Sequence, residues 1–534
     1  MSLTSLSFVL FLIAVFLLYF LLPKKCQWIV LLVCSLLFYV ISGGFGIIYV
    51  VITSVTAYFS AVGMQKLTEK RKQYLKENKE TLTKEEKKEY KKSVLNKRKL
   101  LLIAAILMNV GILVVLKYGH FLVDQANAVL SLFGKLRIDD SFRFLIPLGI
   151  SFYTLQIIGY LADVYWEKID AEKNYLKTLL FTSFFPQMVQ GPISDYEALS
   201  SELFTTHVFT YRNFSRGGQR VVWGFFKKMV IADTLSPYVT AIFSGFQNLS
   251  GISCLLGGVL YLVQLYADFS GYMDIMCGFC EMLGIRLSEN FDRPFFSKSV
   301  SEFWRRWHIT LGAWLRKYVY YPVAVAGWNQ ELSKKSKKIG VYFSRLLPST
   351  VALLFVWFVI GLWHDASWAY IFWGFGNAFF IILSLWIEPL YVKTRTKLKM
   401  KDEAFFTRLF RVVRTFLIIM ALESIAAVAS YGQNGFAFVA RIFTEHSIPT
   451  SLGSLLPSTG SGNNFARITL ALALAGACLM FVFSLIQRRR RRRDLFERVP
   501  MVFRVLILSA AIILIITFGV ESSWGAGAFM YANF

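Results

Sequence analysis

Charge is scarce in this chain. Asp, Glu, Lys and Arg make up 17% of its 534 residues, against 56% hydrophobic. A water-soluble protein of this length needs more polar surface, so a soluble globular enzyme is excluded. Acidic residues are scarcer still, 33 Asp and Glu against 58 Lys and Arg. Such a balance can mark nucleic-acid binding. Here, however, the basic residues cluster in short segments between apolar runs, which is the positive-inside pattern of loops facing anionic lipid headgroups. The partner implied is a membrane, with no nucleic acid. There are only six cysteines. Cys277 and Cys280 form a CxxC with no second pair, inside an apolar stretch, and read as small packing residues. The chain also lacks a nucleotide-binding glycine motif, zinc-ligand spacing and a GxSxG elbow. It has no internal repeat, which weighs against a transporter. No metal and no bound cofactor is expected.

What is present is apolar sequence from end to end. Runs long enough to span a bilayer, or nearly so, fall at 6–22, 27–42, 44–64, 100–118, 144–162, 175–190, 221–243, 252–283, 349–362, 367–387, 409–430, 468–487 and 501–518. The first run ends at Lys24-Lys25 without a basic leader or a cleavage site and reads as a retained helix. The fold class is therefore an all-α polytopic membrane protein, with a core over 1–430 and an extension over 431–534 carrying two further spans. Two segments are interrupted: 144–162 holds Pro147, Gly149 and Gly159, and 181–193 reads FTSFFPQMVQGPI. Broken helices at membrane depth are tolerated where they are buried in protein or line a wet cavity. Gln187 and Gln190 are thereby candidate site-lining residues. Four basic stretches, 65–99, 334–345, 393–414 and Arg488–Arg493, are expected in the cytoplasm. The first, with fourteen Lys/Arg and six Glu, reads as a helical, charge-laced insertion. The loop 444–467, the N-terminus and the C-terminal tail then fall outside the cell.

Of five histidines, two sit in aromatic, membrane-apposed settings. The stretch 301–322, SEFWRRWHITLGAWLRKYVYYP, has Trp304, His308, Leu311, Leu315 and Tyr318 on one face at helical spacing and Arg305, Arg306 and Arg316 mostly on the other. It reads as an amphipathic helix near a membrane surface, with His308 either a hydrogen-bonded interface residue or part of a site. In 351–370 an apolar run reaches Gly361 and then Trp363, His364, Asp365 and Trp368. A histidine closing a span is a candidate general base, since its ordinary pKa lies near neutrality, or else a residue of an aromatic belt. In 261–275, YLVQLYADFSGYMDI, Asp268, Ser270 and Asp274 interrupt apolar sequence. Such carboxylates need partners, for which Arg305, Arg306 and Arg316 are available, or they orient a histidine.

Five segments together resemble the membrane-bound O-acyltransferase (MBOAT) family: IPLGISFYTLQIIGYLADVYW (146–166), FFPQMVQGPI (184–193), LYADFSGYMDI (265–275), ENFDRPFFSKSVSEFWRRWHITLGAWLRKYVYYP (289–322) and GLWHDASWAY (361–370). The likeness is to its bacterial AlgI/DltB-like branch of cell-envelope acylation proteins and covers about 100 to 430. It departs from that branch at Lys317, Ala324-Val325 and Asp365. The resemblance implies a ring of tilted transmembrane helices around a central tunnel. It also implies catalytic roles for His364 and His308, and O-acylation of an extracellular polysaccharide with acetyl-CoA or an acyl carrier as cytoplasmic donor. Trp304, Arg305 and Trp363 would line or support the site. The tail Ala526–Phe534 resembles an aromatic tail found in the branch. Tyr531 there is a candidate acyl relay to an extracytoplasmic SGNH-type transferase that serves the glycan acceptor. D-alanyl transfer to teichoic acid and a non-enzymatic transporter or flippase are the competing readings.

Overall fold

The computed structural model describes residues 2–134, 137–139, 146–399, 401, 404–451, 455–456, 464–487 and 499–520. The run Arg488–Arg493, Ser461 in the 444–467 loop, and the tail with Tyr531 lie outside the described residues. Within them the chain is helical, with a single isolated bridge, Phe291 to Trp307, and no strand. Nine helical stretches among the described residues are long and apolar enough to cross a membrane. The chain is an all-α polytopic membrane protein.

It divides into two compact units, Met1–Asn213 with Cys280–Leu287, and Phe214–Phe279 with Ser288–Phe534. The first holds α1 (Leu6–Leu21), α2 (Gln27–Gly43), α3 (Ile47–Glu77), α4 (Lys84–Leu113), α5 (Gly119–Leu130), α6 (Ile150–Tyr165), α7 (Tyr175–Ser183), α8 (Phe185–Met188) and α9 (Tyr196–Leu203). The charge-laced insertion is the shared end of α3 and α4. α3 runs unbroken from apolar into charged sequence, and α4 from charged back into apolar. Their turn is fixed by a reciprocal cap, in which Glu86 N–H donates to Thr83 Oγ1 and Thr83 N–H donates to the Glu86 carboxylate, at 3.2 and 2.8 Å. Tyr74 and Tyr90 pack against each other across the pair, with ring centroids 4.2 Å apart. At its base the buried Arg98 and Arg71 both grip Glu167, at 2.6 and 3.0 Å.

The interrupted segments follow the sequence expectation. Gly149 opens α6 at φ +71°, where an added Cβ would lie 2.0 Å from the Met188 carbonyl oxygen. The run expected at 175–190 is split at Phe184 into α7 and the single turn α8, because Pro186 cannot continue α7's hydrogen bonding.

The second unit begins with α10 (Tyr211–Phe225), a seven-residue π-helical segment (Phe226–Ala232) and α11 (Asp233–Gly245). It then includes most of α12 (Gly251–Leu283), followed by α13 (Val300–Arg306), α14 (Ile309–Leu315), α15 (Tyr321–Ala324), α16 (Gly327–Ser336), α17 (Val341–His364), α18 (Trp368–Trp386), α19 (Glu388–Lys397), α20 (Phe405–Ala429), α21 (Gly435–Thr444), α22 (Asn464–Gln487) and α23 (Met501–Phe518).

Its organising contact is an antiparallel seam between α10 and α12. Gly217 faces Gly278 and Gly224 faces Gly271, each pair seven residues apart along its own helix. A Cβ on Gly224 would lie 2.7 Å from the Gly271 carbonyl oxygen, and one on Gly278 would lie 2.7 Å from that of Gly217. Glycines let two backbones approach as close as membrane helices come, where packing rather than the hydrophobic effect drives association.

A side chain at either rung meets backbone, which cannot give way. Gly224→Ala should destabilise the protein by about 1–3 kcal/mol, the usual cost of overpacking. Gly218→Ala, with open space around its Cβ on the same helix, should be neutral or stabilise by up to about 1 kcal/mol. Thermal unfolding in detergent of the two variants checks this; equal melting temperatures would remove the seam from the account.

Candidate active site

The glycine seam brings polar groups together in an apolar setting. Asp268, Ser270 and Asp274 on α12 face α10 and the π-helical segment. Lys228 Nζ reaches Asp268 Oδ1 at 2.6 Å and Asp233 Oδ1 at 2.8 Å. Lys227 Nζ reaches Asp274 Oδ2 at 2.7 Å and donates to Ser270 Oγ at 2.8 Å. Arg220 Nε donates to Asp274 Oδ1 at 2.8 Å. The partners expected from sequence, Arg305, Arg306 and Arg316, are not the ones used here. Arg306 pairs with Glu302 one turn back at 2.6 Å, and the exposed Arg305 bonds Ser301 at 3.1 Å. Sequence reasoning missed Arg220, Lys227 and Lys228, although two adjacent lysines inside an apolar run were a visible signal. The π geometry is what pairs Lys228 with Asp233. Residues five apart stand together along a π-helix and well apart around an α-helix.

The single amphipathic helix expected over 301–322 is broken. α13 stops at Arg306 and α14 starts at Ile309, because His308 adopts a left-handed conformation at φ +48° and ψ +51°. That conformation costs about 1–2 kcal/mol in a residue with a Cβ and persists only when its surroundings over-determine it. The determinant is the segment before α13. The buried Asn290 side chain accepts from Thr310 N–H and Oγ1 at 3.0 and 2.7 Å, and its carbonyl accepts from Ile309 N–H at 3.1 Å. Phe291 bridges to Trp307, and Asp292 N–H donates to the Arg306 carbonyl at 2.9 Å. The bend turns His308 inward, 2% exposed, with Phe269 of α12 edge-on at 4.9 Å.

His364 is the last residue of α17, and the following Asp365 is extended. α17 packs closely on α18. A Cβ on Gly361 would lie 2.6 Å from the Tyr370 carbonyl oxygen, and one on Gly374 would lie 2.4 Å from that of Trp357. The histidine is buried in an aromatic cage. Trp363 and Trp373 stand edge-on to it, both at 5.0 Å, and Tyr370 lies nearly parallel at 5.9 Å. Trp363 also stands 6.0 Å from His308, so one indole touches both imidazoles. Trp304 of α13 closes the group: it packs on Trp373 at 5.5 Å and donates its N–H to Asn377 of α18 at 2.9 Å. The Glu423 carboxyl of α20, also buried, lies beside Trp373.

The structure thus gathers His308, His364, Trp304 and Trp363, with Asp268, Ser270 and Asp274 behind Phe269. Arg305 stays outside the group. Gln187 and Gln190 are buried in the first unit, where Gln187 accepts from Gln156 at 2.8 Å and donates to Ser194 at 2.7 Å. Among the described residues no three His, Cys, Asp or Glu side chains converge as metal ligands do. Asn290, Phe269, Trp373 and Asn377, which hold or cage the histidines, carried no sequence signal of their own.

Residues 171–425 match the family model of MBOAT, the membrane-bound O-acyltransferase family. Over those residues the chain is similar to that family. Both caged histidines and the whole of the charged seam lie inside that MBOAT match. Among similar proteins are the probable alginate O-acetylase AlgI of Pseudomonas putida, 38% identical over 50% of this chain and 51% of that protein, and the peptidoglycan O-acetyltransferase of Helicobacter pylori, 32% identical over 52% and 54%. The teichoic acid D-alanyltransferase of Bacillus subtilis is 27% identical over 50% of this chain and 65% of that protein. The chain spans about half the length of the first two relatives it matches.

Burial pushes the His308 imidazole down to about 3, so it is neutral at physiological pH and suited to holding a hydrogen bond rather than a charge. In the unfolded chain the ring titrates near the ordinary 6.5. The unfolded state therefore binds the extra proton first, and stability that is complete above about 6.5 is lost as pH falls toward 3. Melting temperatures measured between pH 8 and pH 4 should drop below about pH 6.5, and the drop should be shallower in His308→Phe. Parallel curves would place the acid sensitivity elsewhere.

Proposed function

We propose that this protein is a membrane O-acyltransferase. It moves an acyl group, acetyl in the simplest case, from a cytoplasmic thioester to a hydroxyl on the path to a cell-envelope or extracellular polysaccharide. The observation that carries the reading is the pair of buried histidines sharing Trp363 inside the MBOAT match. His364 takes the proton of the acceptor hydroxyl, whose oxygen attacks the thioester carbonyl. The tetrahedral intermediate collapses with cleavage of the carbon–sulfur bond, and the departing thiolate takes the proton back from His364. The indole N–H of Trp363 is a donor available to steady the developing oxyanion. His308, held neutral, orients rather than exchanges protons. The alginate and peptidoglycan O-acetylating relatives support acetyl as the group and a glycan as the final acceptor. The D-alanyl relative makes D-alanyl transfer the second reading.

The topology belongs to the same proposal. With the basic 334–345 loop in the cytoplasm, α17 runs outward and delivers His364 to the outer half of the membrane. α18 returns to the basic 393–414 stretch. The C-terminal tail then lies outside, where Tyr531 accepts the acyl group as a phenyl ester and an SGNH-type transferase passes it to the glycan. A phenyl ester is more reactive than an alkyl ester, which suits a relay.

His364→Ala should lower acyl transfer from acetyl-CoA by at least about a thousandfold, the scale expected for a general base that also positions the nucleophile. Ester content of envelope glycans, read by mass spectrometry, should fall to background; near-parental esterification would end the enzyme reading. In cells, Tyr531→Phe should abolish glycan acylation while leaving the membrane domain folded, and normal acylation by that variant would exclude the relay.

A further inference from the structure

The strain at His308 is held by the segment 290–292, and that segment needs an anchor of its own. It is reached through Ser288 and Glu289, both exposed, so burial of those two residues does not fix the register with which Asn290 meets Thr310. What the structure places there is Arg220. Its Nη1 and Nη2 donate to the two oxygens of Glu289 at 2.8 and 2.6 Å, while its Nε donates to Asp274 at 2.8 Å. One planar guanidinium is thus shared between the charged seam and the segment that bends the chain at His308. The arrangement uses what only arginine offers, a rigid fork of donors for one carboxylate with a further donor for a second. Its side chain is 17% exposed and that of Glu289 44%, so the outer pair is reachable by water whereas the Asp274 end is buried.

We infer that the Arg220–Glu289 pair is a latch that positions His308. The seam fixes Arg220 through Asp274. Arg220 fixes Glu289, and Glu289 sets the register of Asn290, which caps the first turn of α14 and keeps His308 left-handed and inward. Both residues are positioning residues: neither touches the histidine cage. Opening the latch frees Asn290 from Thr310. The sequence at 306–310 then relaxes toward the continuous helix its own spacing favours, which carries the imidazole away from Phe269 and Trp363. The inference rests on reading His308 as part of the acyl-transfer site, but the geometry it describes can be measured without substrate.

The test is carbethoxylation of the full-length protein in detergent by diethyl pyrocarbonate, followed residue by residue by peptide mass spectrometry. In the parent, His308 should be protected. In Glu289→Gln, which keeps size and loses the charge-assisted fork, its modification rate should rise about tenfold or more, as local opening without global unfolding does. His364 should keep its parental rate and the melting temperature should change little. Arg220→Lys, which keeps a charge for Asp274 and loses the fork, should behave the same way. Glu289→Asp, which can still receive the fork, should restore most of the protection. In turnover assays Glu289→Gln should lower kcat about tenfold with KM unchanged, because it misplaces a group without removing a substrate contact. Unchanged His308 protection in Glu289→Gln and Arg220→Lys overturns the latch. So does a rise shared equally by His308 and His364 together with a fall in melting temperature, since that marks general loosening. Protection that responds as expected in an enzyme whose turnover does not depend on His308 would leave the latch standing and remove the role assigned to that histidine.

Discussion

Putting charge into the apolar interior of a membrane protein is tolerable only when the charges meet at once, at contact distance and with their remaining hydrogen bonds satisfied. The α10–α12 seam meets that condition by geometry. Glycines at 217, 224, 271 and 278 remove the side chains that would keep the two backbones apart, and the polar rungs fall between and beyond the glycine rungs. Without the close approach, Lys227 would lose Asp274, and Lys228 would lose Asp268 and keep Asp233 of its own segment. Without those lysines, Asp268 would lose its contact with Lys228 and Asp274 would be left to Arg220. Breaking one member of such a set is far costlier than replacing the whole by apolar side chains, so the residues of the seam are expected to stand or fall together.

The candidate site is built on that rigid edge. α12 carries Phe269 between two of the charged rungs and presents it to His308. The other wall comes from α17 and α18, locked by Gly361 and Gly374, with His364 at the corner. Trp363 touches both imidazoles, so their separation is set by packed rings rather than by flexible side chains. Large aromatic side chains suit this role because they have few torsions to freeze and prefer edge-to-face contacts at these separations. A buried site of this kind also excludes water, as the proposed transfer from a thioester to a hydroxyl requires.

The apolar spans, the interrupted helices around Gly149 and Pro186, the basic helical insertion and the two histidines were all legible in the sequence, because each is a local pattern of hydropathy, proline or charge. The errors came where a distant partner overrode a local pattern. Helical spacing over 301–322 is real and would favour one helix. It is overruled at His308 by Asn290, eighteen residues upstream, whose side chain caps a new helix start. Asp268 and Asp274 were correctly read as needing cations, but the nearest arginines in sequence were the wrong choice. Arg306 already has Glu302 on its own helix, and the actual partners lie on a helix about fifty residues earlier. The seven-residue spacing of the glycine pairs on both helices was the cue that would have brought α10 and α12 together.

The π-helical turns between Phe226 and Ala232 carry a consequence about length rather than chemistry. A π segment is an α-helix holding surplus backbone, and here the surplus lets Lys228 stand over Asp233 while its neighbour Lys227 reaches Asp274 and Ser270. Deleting one residue from this stretch would let the helix close to its ordinary period and rotate everything beyond it by about 100° relative to what precedes it. The five apolar positions of the bulge could then exchange side chains with modest effect, yet the segment would not survive losing any one of its seven residues. Its chain length, more than its composition, is what evolution or design would have to keep.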